Sequence, residues 1–245
     1  MIKNYSKLLV IFLITFMVFS CAKKKEEVLT GESSYIKAKK LLDEKNYAEA
    51  AKEFEKIDDD FPFSKWATKS QNMAVYAFYK NKDYADVVRA VDDFIRINPS
   101  NETIPYMYYM KALSYYDQIP DIERAQDNTR LSSTTFRELI ARFPDSDHAV
   151  DARYKLEFID EHIAGAKMAV GRYQVTQRNY VGALKNFHDV VQRYGYTDQA
   201  PEAYYRLIEI YHKIGLKKEA LKVRNQLESN FSSNEWTALA QKIDF

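Results

Sequence analysis

The amino-acid sequence predicts an all-α protein, an α-solenoid of about five helix-turn-helix repeats. Two observations carry this prediction. The 245 residues include only 6 glycines, whereas glycine makes up about 7% of typical sequences, so tight β-turns and phosphate-cradling loops must be few. In addition, one pattern of aromatic, small and apolar residues recurs along the chain, and recurrence of this kind is typical of repeat architectures.

The first element is a basic and then apolar segment at the N-terminus. Lys3 and Lys7 precede residues 8–19, in which Thr15 is the only polar side chain. A helix of this length rises about 18 Å, which is short of the roughly 30 Å hydrocarbon core of a bilayer. We therefore interpret residues 1–20 as a signal peptide and not as a membrane span.

The single cysteine of the chain follows this segment. Residues 18–21 (VFSC) resemble the lipobox of bacterial lipoproteins, with Phe19 as a departure from the usual pattern. The resemblance implies cleavage before Cys21 and acylation of its sulfur and its new amine, which together anchor a protein stably. Ala22 in place of aspartate implies sorting to the outer membrane. A buried or incidental cysteine is the alternative. The polar residues 21–33 are interpreted as the lipidated cysteine and a flexible tether.

The repeated pattern begins at a short polar turn. In its first copy Tyr47 is followed by Ala50, Phe54, Ile57 and Pro62. The small residue is expected where the second helix crosses the first, and the next two apolar residues share one helix face. Proline ends the helix because it lacks a backbone N–H. This spacing resembles the tetratricopeptide repeat, a helix-turn-helix unit of about 34 residues.

Five such units organise the remaining chain, at residues 31–64, 68–101, 105–145, 164–197 and 201–234. The later second helices carry the equivalent sets Val87, Val91 and Phe94; Ser132, Phe136 and Leu139; Ala183, Phe187 and Val190; and Ala220, Arg224 and Leu227. We divide the chain into an N-terminal part, 34–145, with repeats 1–3, and a C-terminal part, 146–245, with a connecting helix and repeats 4–5.

Three segments depart from the regular repeat. Residues 117–128 form an insert in the third unit, expected as a surface excursion. Apolar residues at helical spacing within 146–163 predict either an extended first helix of the fourth repeat or an extra helix before it. Trp236, Leu239 and Ile243 predict a short terminal cap.

The composition argues against several function classes. Lys and Arg number 36 and Asp and Glu 35, so a net charge of +1 gives no footprint for nucleic acid. None of the four histidines forms HExxH or pairs at i,i+4, and residues 58–60 lack the glycine and alternation of an EF-hand loop. No phosphate-binding or nucleophile motif occurs. We therefore predict a non-enzymatic protein without catalytic residues, metal ligands or cofactor, apart from the lipid on Cys21.

The informative surface is aromatic. One face of each first helix in a tetratricopeptide array lines a concave groove, and tyrosine, with its apolar body and polar tip, suits recognition of an extended peptide. Lys39, Lys69 and Lys80 lie among the candidates and could meet a terminal carboxylate. The alternative is that each tyrosine only packs between helices. The predicted groove residues are Tyr35, Asn72, Tyr76, Tyr79, Tyr106, Tyr109 and Tyr116.

Several segments resemble the BamD family, the lipoprotein subunit of the outer-membrane β-barrel assembly machine. They are residues 61–64, 79–99, 136–146 and 151–159. The resemblance covers nearly the whole chain after the signal peptide and weakens after about residue 195, where Gly195 stands in place of the expected proline.

The resemblance implies a function that no periodicity shows. The N-terminal repeats of the family bind C-terminal segments of unfolded barrel proteins, and its C-terminal repeats dock on POTRA domains of the BamA-type insertase, beside other lipoproteins of the complex. Arg172, Arg178 and Arg193 are the docking candidates. The expected location is the periplasmic face of the outer membrane. A different periplasmic scaffold for envelope or cell-wall proteins, or an enzyme built on a helical solenoid, are the alternatives.

Overall fold

The computed structural model describes residues 29–62 and 64–245. The signal peptide, Cys21 and the tether up to residue 28 lie outside the described residues. Within the described residues the chain forms helices and no strand. The eleven helices are α1 Gly31–Asp43, α2 Tyr47–Asp60, α3 Lys65–Asn81, α4 Tyr84–Ile97, α5 Ile104–Tyr116, α6 Asp127–Arg142, α7 Asp147–Thr176, α8 Tyr180–Arg193, α9 Ala200–Lys213, α10 Lys217–Asn230 and α11 Glu235–Ala240.

The helices form the predicted array of helical hairpins. Each helix packs against the next one in the chain, and α1, α3, α5 and α7 also pack against one another in sequence. The all-α tetratricopeptide fold is therefore confirmed. No helix of the described residues is both long enough and apolar enough to cross a bilayer.

The start of α1 corrects one expected boundary. Residues 31–33 were assigned to the tether, but they are helical. The Thr30 hydroxyl accepts a hydrogen bond from the Ser33 amide at 3.1 Å, and the Ser33 hydroxyl accepts one from the Thr30 amide at 3.0 Å. This reciprocal capping satisfies two amides that the helix leaves unpaired, so the helix begins at residue 31.

The polar turns between paired helices share one backbone conformation. Lys45, Lys82, Arg178 and Gly215 all have positive φ, between 57° and 80°. In each turn the amides of that residue and the next one bond to carbonyls of the preceding helix, as Lys82 does to Tyr79 over 2.9 Å. Such a left-handed residue satisfies the open carbonyls at a helix C-terminus and reverses the chain. The recurring polar turns of the sequence are therefore the places where the first helix of each pair ends.

The predicted crossing positions lie in the core. Ala50, Ser132, Ala183 and Ala220 are completely buried. In the fourth repeat the first helix also contributes a small residue, because a Cβ on Gly171 would lie 2.5 Å from Cε1 of Phe187. The two helix axes can approach this closely only with a glycine there.

The fourth repeat begins inside a long helix. α7 has 30 residues, and the apolar positions that predicted helical structure in 146–163 are buried. Of the two alternatives, the extended first helix is the observed one. The first half of α7 contacts α5 through Tyr109, and its second half contacts α8 through Gly171.

The insert of the third unit is not a free excursion. α6 begins at Asp127, so the last two residues of the expected insert, 127 and 128, are helical. His162 Nε2 on α7 donates a hydrogen bond to the Pro120 carbonyl over 2.8 Å. The Ile122 side chain lies 3.7 Å from the Cβ position of Gly165. The insert therefore packs against the middle of α7.

The C-terminal residues cap the last repeat. Trp236 packs against Tyr205 at a ring separation of 5.3 Å, and Ile243 is partly buried against the core. Leu239 is largely exposed instead, and Ala240 takes the buried position. Arg224 replaces an apolar residue of the repeat pattern, and it donates to the Ile243 carbonyl over 3.2 Å. This pairing explains why a charged residue is tolerated at that position.

Candidate peptide-binding groove

Four first helices form the wall on which the candidate residues lie. α1, α3 and α5 were expected there, and the first half of α7 continues the row. The hydroxyl of Ser64 caps α3 by accepting from Ala67 N, and Ser146 caps α7 in the same way through Ala149 N. The two helices therefore start in register, so the face of α7 that carries Asp151, Tyr154 and Phe158 corresponds to the groove face of α3.

Tyr35 is not available as a groove surface. Its side chain is only 6% exposed. Its ring lies 5.5 Å from the ring of Phe54 and 5.0 Å from that of Trp66. The expectation of a peptide contact at Tyr35 is corrected to a packing role, because Trp66 of the next repeat covers the ring.

Tyr79 and Tyr109 use their hydroxyls within the protein. The Tyr79 hydroxyl donates to Asp117 Oδ2 over 2.7 Å, and that of Tyr109 donates to Asp151 Oδ2 over 2.6 Å. Burial, and then the hydrogen bond to a carboxylate, raises the pKa of both phenols. These tyrosines are held in fixed orientations, and only their rings are left for a ligand.

Tyr76, Tyr106 and Tyr116 present their rings differently. Tyr76 is exposed, whereas burial raises the pKa of Tyr106 to about 12, with a smaller contribution from Tyr76. Tyr116 lies edge-on to Phe158 at 5.7 Å. Asn72 is half-buried, and its side-chain oxygen accepts from the Thr103 hydroxyl over 3.3 Å. It therefore holds the loop before α5 against the wall.

The sequence-based assignment of groove positions within each repeat did not include two aromatic residues of α7, Tyr154 and Phe158. The side chains of Tyr154 and Phe158 are 69% and 52% exposed. The His148 ring stacks on Tyr109 at 5.0 Å. The signal in the sequence was the serine cap at residue 146 and the apolar spacing that follows it. The groove is therefore longer at this end than predicted.

The three arginines expected at a docking surface have different environments. Arg172 Nη1 pairs with Glu202 Oε2 at 3.1 Å, which joins α7 to α9. Arg178 is exposed at the turn before α8. Arg193 is 3.6 Å from Asp189 and lines a cleft of about 1070 Å³ between the insert, α6, α7 and α8. The structure thus leaves Arg178 and Arg193 more accessible than Arg172.

The cleft beside Arg193 is a feature that the sequence did not reveal. Its basic side chains include Arg124, Arg130, Arg137 and Lys167, and its apolar lining includes Tyr173. It exists because the insert folds back on α7, a contact between residues far apart in the chain. Beneath it, the carboxylate of Asp160 is only 2% exposed and accepts from Arg137 and from the Tyr196 hydroxyl.

The sequence matches the YfiO family, described as "Outer membrane lipoprotein", over residues 29–227. It is 34% identical to the outer membrane protein assembly factor BamD of Rickettsia prowazekii over 244 residues, covering 98% of this chain and 96% of the relative. The BamD of Caulobacter vibrioides is 32% identical over 94% of this chain and 78% of its own length. The chain belongs to the BamD family.

The residues matched by the family include both surfaces described above. The match extends through α1–α9 and most of α10, past residue 195, after which the resemblance is expected to weaken. At Gly195 a Cβ would lie 2.8 Å from the Val191 carbonyl oxygen, which favours glycine locally. The names of the relatives describe an assembly factor and no catalytic activity. Within residues 29–62 and 64–245, no three His, Cys, Asp or Glu side chains are grouped as metal ligands.

Proposed function

We propose that this protein is a lipid-anchored adaptor that assists assembly and insertion of β-barrel proteins into the outer membrane. Family membership supports the assembly role, since the relatives carry that function in their names. The observation that carries the finer proposal is the continuous aromatic wall on α3, α5 and the first half of α7. A non-catalytic adaptor needs such a surface and no reactive group.

The groove is proposed to hold C-terminal segments of unfolded barrel proteins. Tyr76, Tyr154 and Phe158 offer exposed rings along one side of the row of helices. Because Tyr79 and Tyr109 are fixed by carboxylates, their rings are preorganised and lose little conformational freedom when a peptide binds. Binding would be non-covalent, by apolar contact with the rings.

The surface of repeats 4 and 5 is proposed to dock on the POTRA domains of a BamA-type insertase. Arg178 and Arg193 are its accessible arginines, and the basic cleft beside Arg193 is large enough to receive part of a folded partner. Arg172 is assigned a supporting role, because its pairing with Glu202 fixes α9 against α7. Other lipoproteins of the same complex are further proposed partners.

Crosslinking in the membrane tests these two assignments together. A photoreactive side chain at position 76 or 154 is expected to trap barrel precursors, and one at position 193 is expected to trap the insertase. Position 49, exposed on the second helix α2, is the control and should trap neither. Precursors trapped at 193 but not at 76 or 154 would contradict the groove assignment.

The anchor is proposed to be a covalent lipid on Cys21, which holds the protein at the periplasmic face of the outer membrane. A Cys21→Ser variant should remain uncleaved or become soluble. An acylated, processed species of this variant in the outer-membrane fraction would rule out the anchor. If the wild-type protein instead co-purifies with envelope or cell-wall proteins and without the insertase, the alternative of a different periplasmic scaffold is correct.

A further inference from the structure

The groove has a basic end. Lys65 and Lys69 lie one helical turn apart at the start of α3. The Lys69 ammonium is 4.8 Å from the ring centre of Tyr35 and 5.3 Å from that of Trp66, and the Lys65 ammonium is 5.2 Å from Trp66. Attraction to the ring faces holds both cations over the aromatic pair.

Among residues 29–62 and 64–245, no carboxylate forms an ion pair with either of these two cations. The lysine ion pairs of the described residues involve Lys37, Lys39, Lys40, Lys111, Lys155 and Lys167. Glu32, in the first turn of α1, is the acidic residue on the groove face at this end, and Lys39 on the same helix pairs with Asp43 at 3.1 Å. The charge that remains at the end formed by α1 and α3 is positive.

The opposite end of the groove is acidic. The carboxylates of Asp117 and Asp151 lie here and accept hydrogen bonds from the hydroxyls of Tyr79 and Tyr109. Lys155 is 3.3 Å from Asp151 and also lies 5.2 Å from the ring of Tyr116, so it compensates part of this charge. An anionic group is therefore favoured beside Lys69 and disfavoured beside Asp117.

We propose that the groove binds an extended peptide in one direction, with the C-terminal carboxylate beside Lys65 and Lys69. The last side chain of the peptide would lie against the half-buried ring of Trp66, and the preceding residues would pass Tyr76 toward Tyr154 and Phe158. This inference rests on the proposed function and adds to it the polarity of the bound segment. Capture of a terminal carboxylate is a recurrent mode of peptide recognition, and a lysine ammonium attracts that charge.

The contribution of the C-terminal carboxylate to binding is tested by comparing the affinity of a peptide with that of its amidated form. With the full lipidated protein in detergent, amidation of a C-terminal barrel peptide should weaken binding by about two- to fivefold, the range for an exposed ion pair. In a Lys65→Gln, Lys69→Gln double variant the free and amidated peptides should bind equally. Lys213→Gln is the matched control, because Lys213 also lies over a tyrosine, Tyr180, but in the last repeat. It should keep the wild-type difference.

The direction is tested by fluorescence quenching. The chain has two tryptophans, and a Trp236→Phe variant leaves only Trp66, at the basic end. A nitroxide on a side chain near the free C-terminus of the peptide should quench Trp66 more strongly than a nitroxide near its N-terminus. Stronger quenching by the N-terminal label, or equal affinity of free and amidated peptide, overturns this proposal while the groove assignment stands. Absence of any peptide binding overturns the groove assignment and this proposal together.

Discussion

The two halves of the molecule use the same helical hairpin but carry opposite chemistry on the same face of their first helices. In repeats 2 and 3 this face presents Tyr76, Tyr106 and Tyr109. In repeats 4 and 5 the first helices carry, beside Tyr205, charged residues that bond to one another: Arg172 to Glu202 at 3.1 Å, Arg206 to Glu202 at 3.1 Å and Arg206 to Glu209 at 2.8 Å. The aromatic face keeps the exposed ring of Tyr76, whereas the charged residues are paired with one another.

This difference teaches that the repeat pattern specifies the scaffold and not the binding surface. The buried positions are similar in both halves, with Phe54 and Phe187 completely buried at equivalent places. The change in chemistry occurs along α7, whose first half carries Tyr154 and Phe158 and whose second half carries Arg172.

The largest expected effects test whether the two halves share one kind of core. Phe54→Ala and Phe187→Ala should each lower the free energy of unfolding by about 3–5 kcal/mol, because each leaves a cavity in a close-packed site. Chemical denaturation monitored by circular dichroism measures both. A loss under about 1 kcal/mol in one half alone would show that the repeats are not equivalent in packing.

A smaller effect is expected at the helix crossing of the fourth repeat. Gly171→Ala should cost about 1–3 kcal/mol, since the added Cβ would overlap the Phe187 ring. Gly165→Ala is the control on the same helix, because the nearest atom to its Cβ would be Cγ2 of Ile122 at 3.7 Å, an ordinary contact. Equal stability of Gly171→Ala and the wild type would mean that α7 and α8 are farther apart than described.

The smallest expected change in stability distinguishes a tyrosine whose hydroxyl is bonded within the protein, Tyr79, from an exposed one, Tyr76. Tyr79→Phe removes the hydrogen bond to Asp117 and should cost about 0.5–1.5 kcal/mol of stability while keeping the ring. Tyr76→Phe, at an exposed position, should leave the thermal midpoint unchanged. A reversed order of the two midpoints would contradict the assignment of the Tyr79 hydroxyl to the scaffold.

Much of the scaffold could be predicted because it depends on local spacing. The left-handed turn residues, the small residues at crossings such as Ala50 and the buried phenylalanines all follow from a pattern within one repeat. The burial of Tyr35 could not be predicted in this way, since it is caused by Trp66 of the following repeat. The cleft beside Arg193 depends on the contact between Pro120 and His162, which are 42 residues apart. Residue spacing within one repeat cannot reveal contacts with residues so far away in the chain.

The aromatic face of the first helices extends farther along the chain than the sequence predicts. The fourth unit was placed at residue 164, so the first half of α7 was treated as a connection. The continuous helix from Asp147 to Thr176 instead serves two neighbours, and its first half completes the aromatic wall. A repeat boundary that falls inside one helix leaves no turn in the sequence to mark it.

The affinity of a C-terminal barrel peptide for a Tyr76→Ala, Tyr154→Ala double variant tests the central claim most directly. Both side chains are exposed, so the variant should keep the wild-type thermal midpoint. Its affinity should fall by about tenfold or more, as expected when two aromatic anchors are truncated. Tyr173→Ala, exposed in the second half of α7, should bind the peptide normally. Unchanged affinity of the double variant would contradict the claim that the aromatic wall binds the peptide.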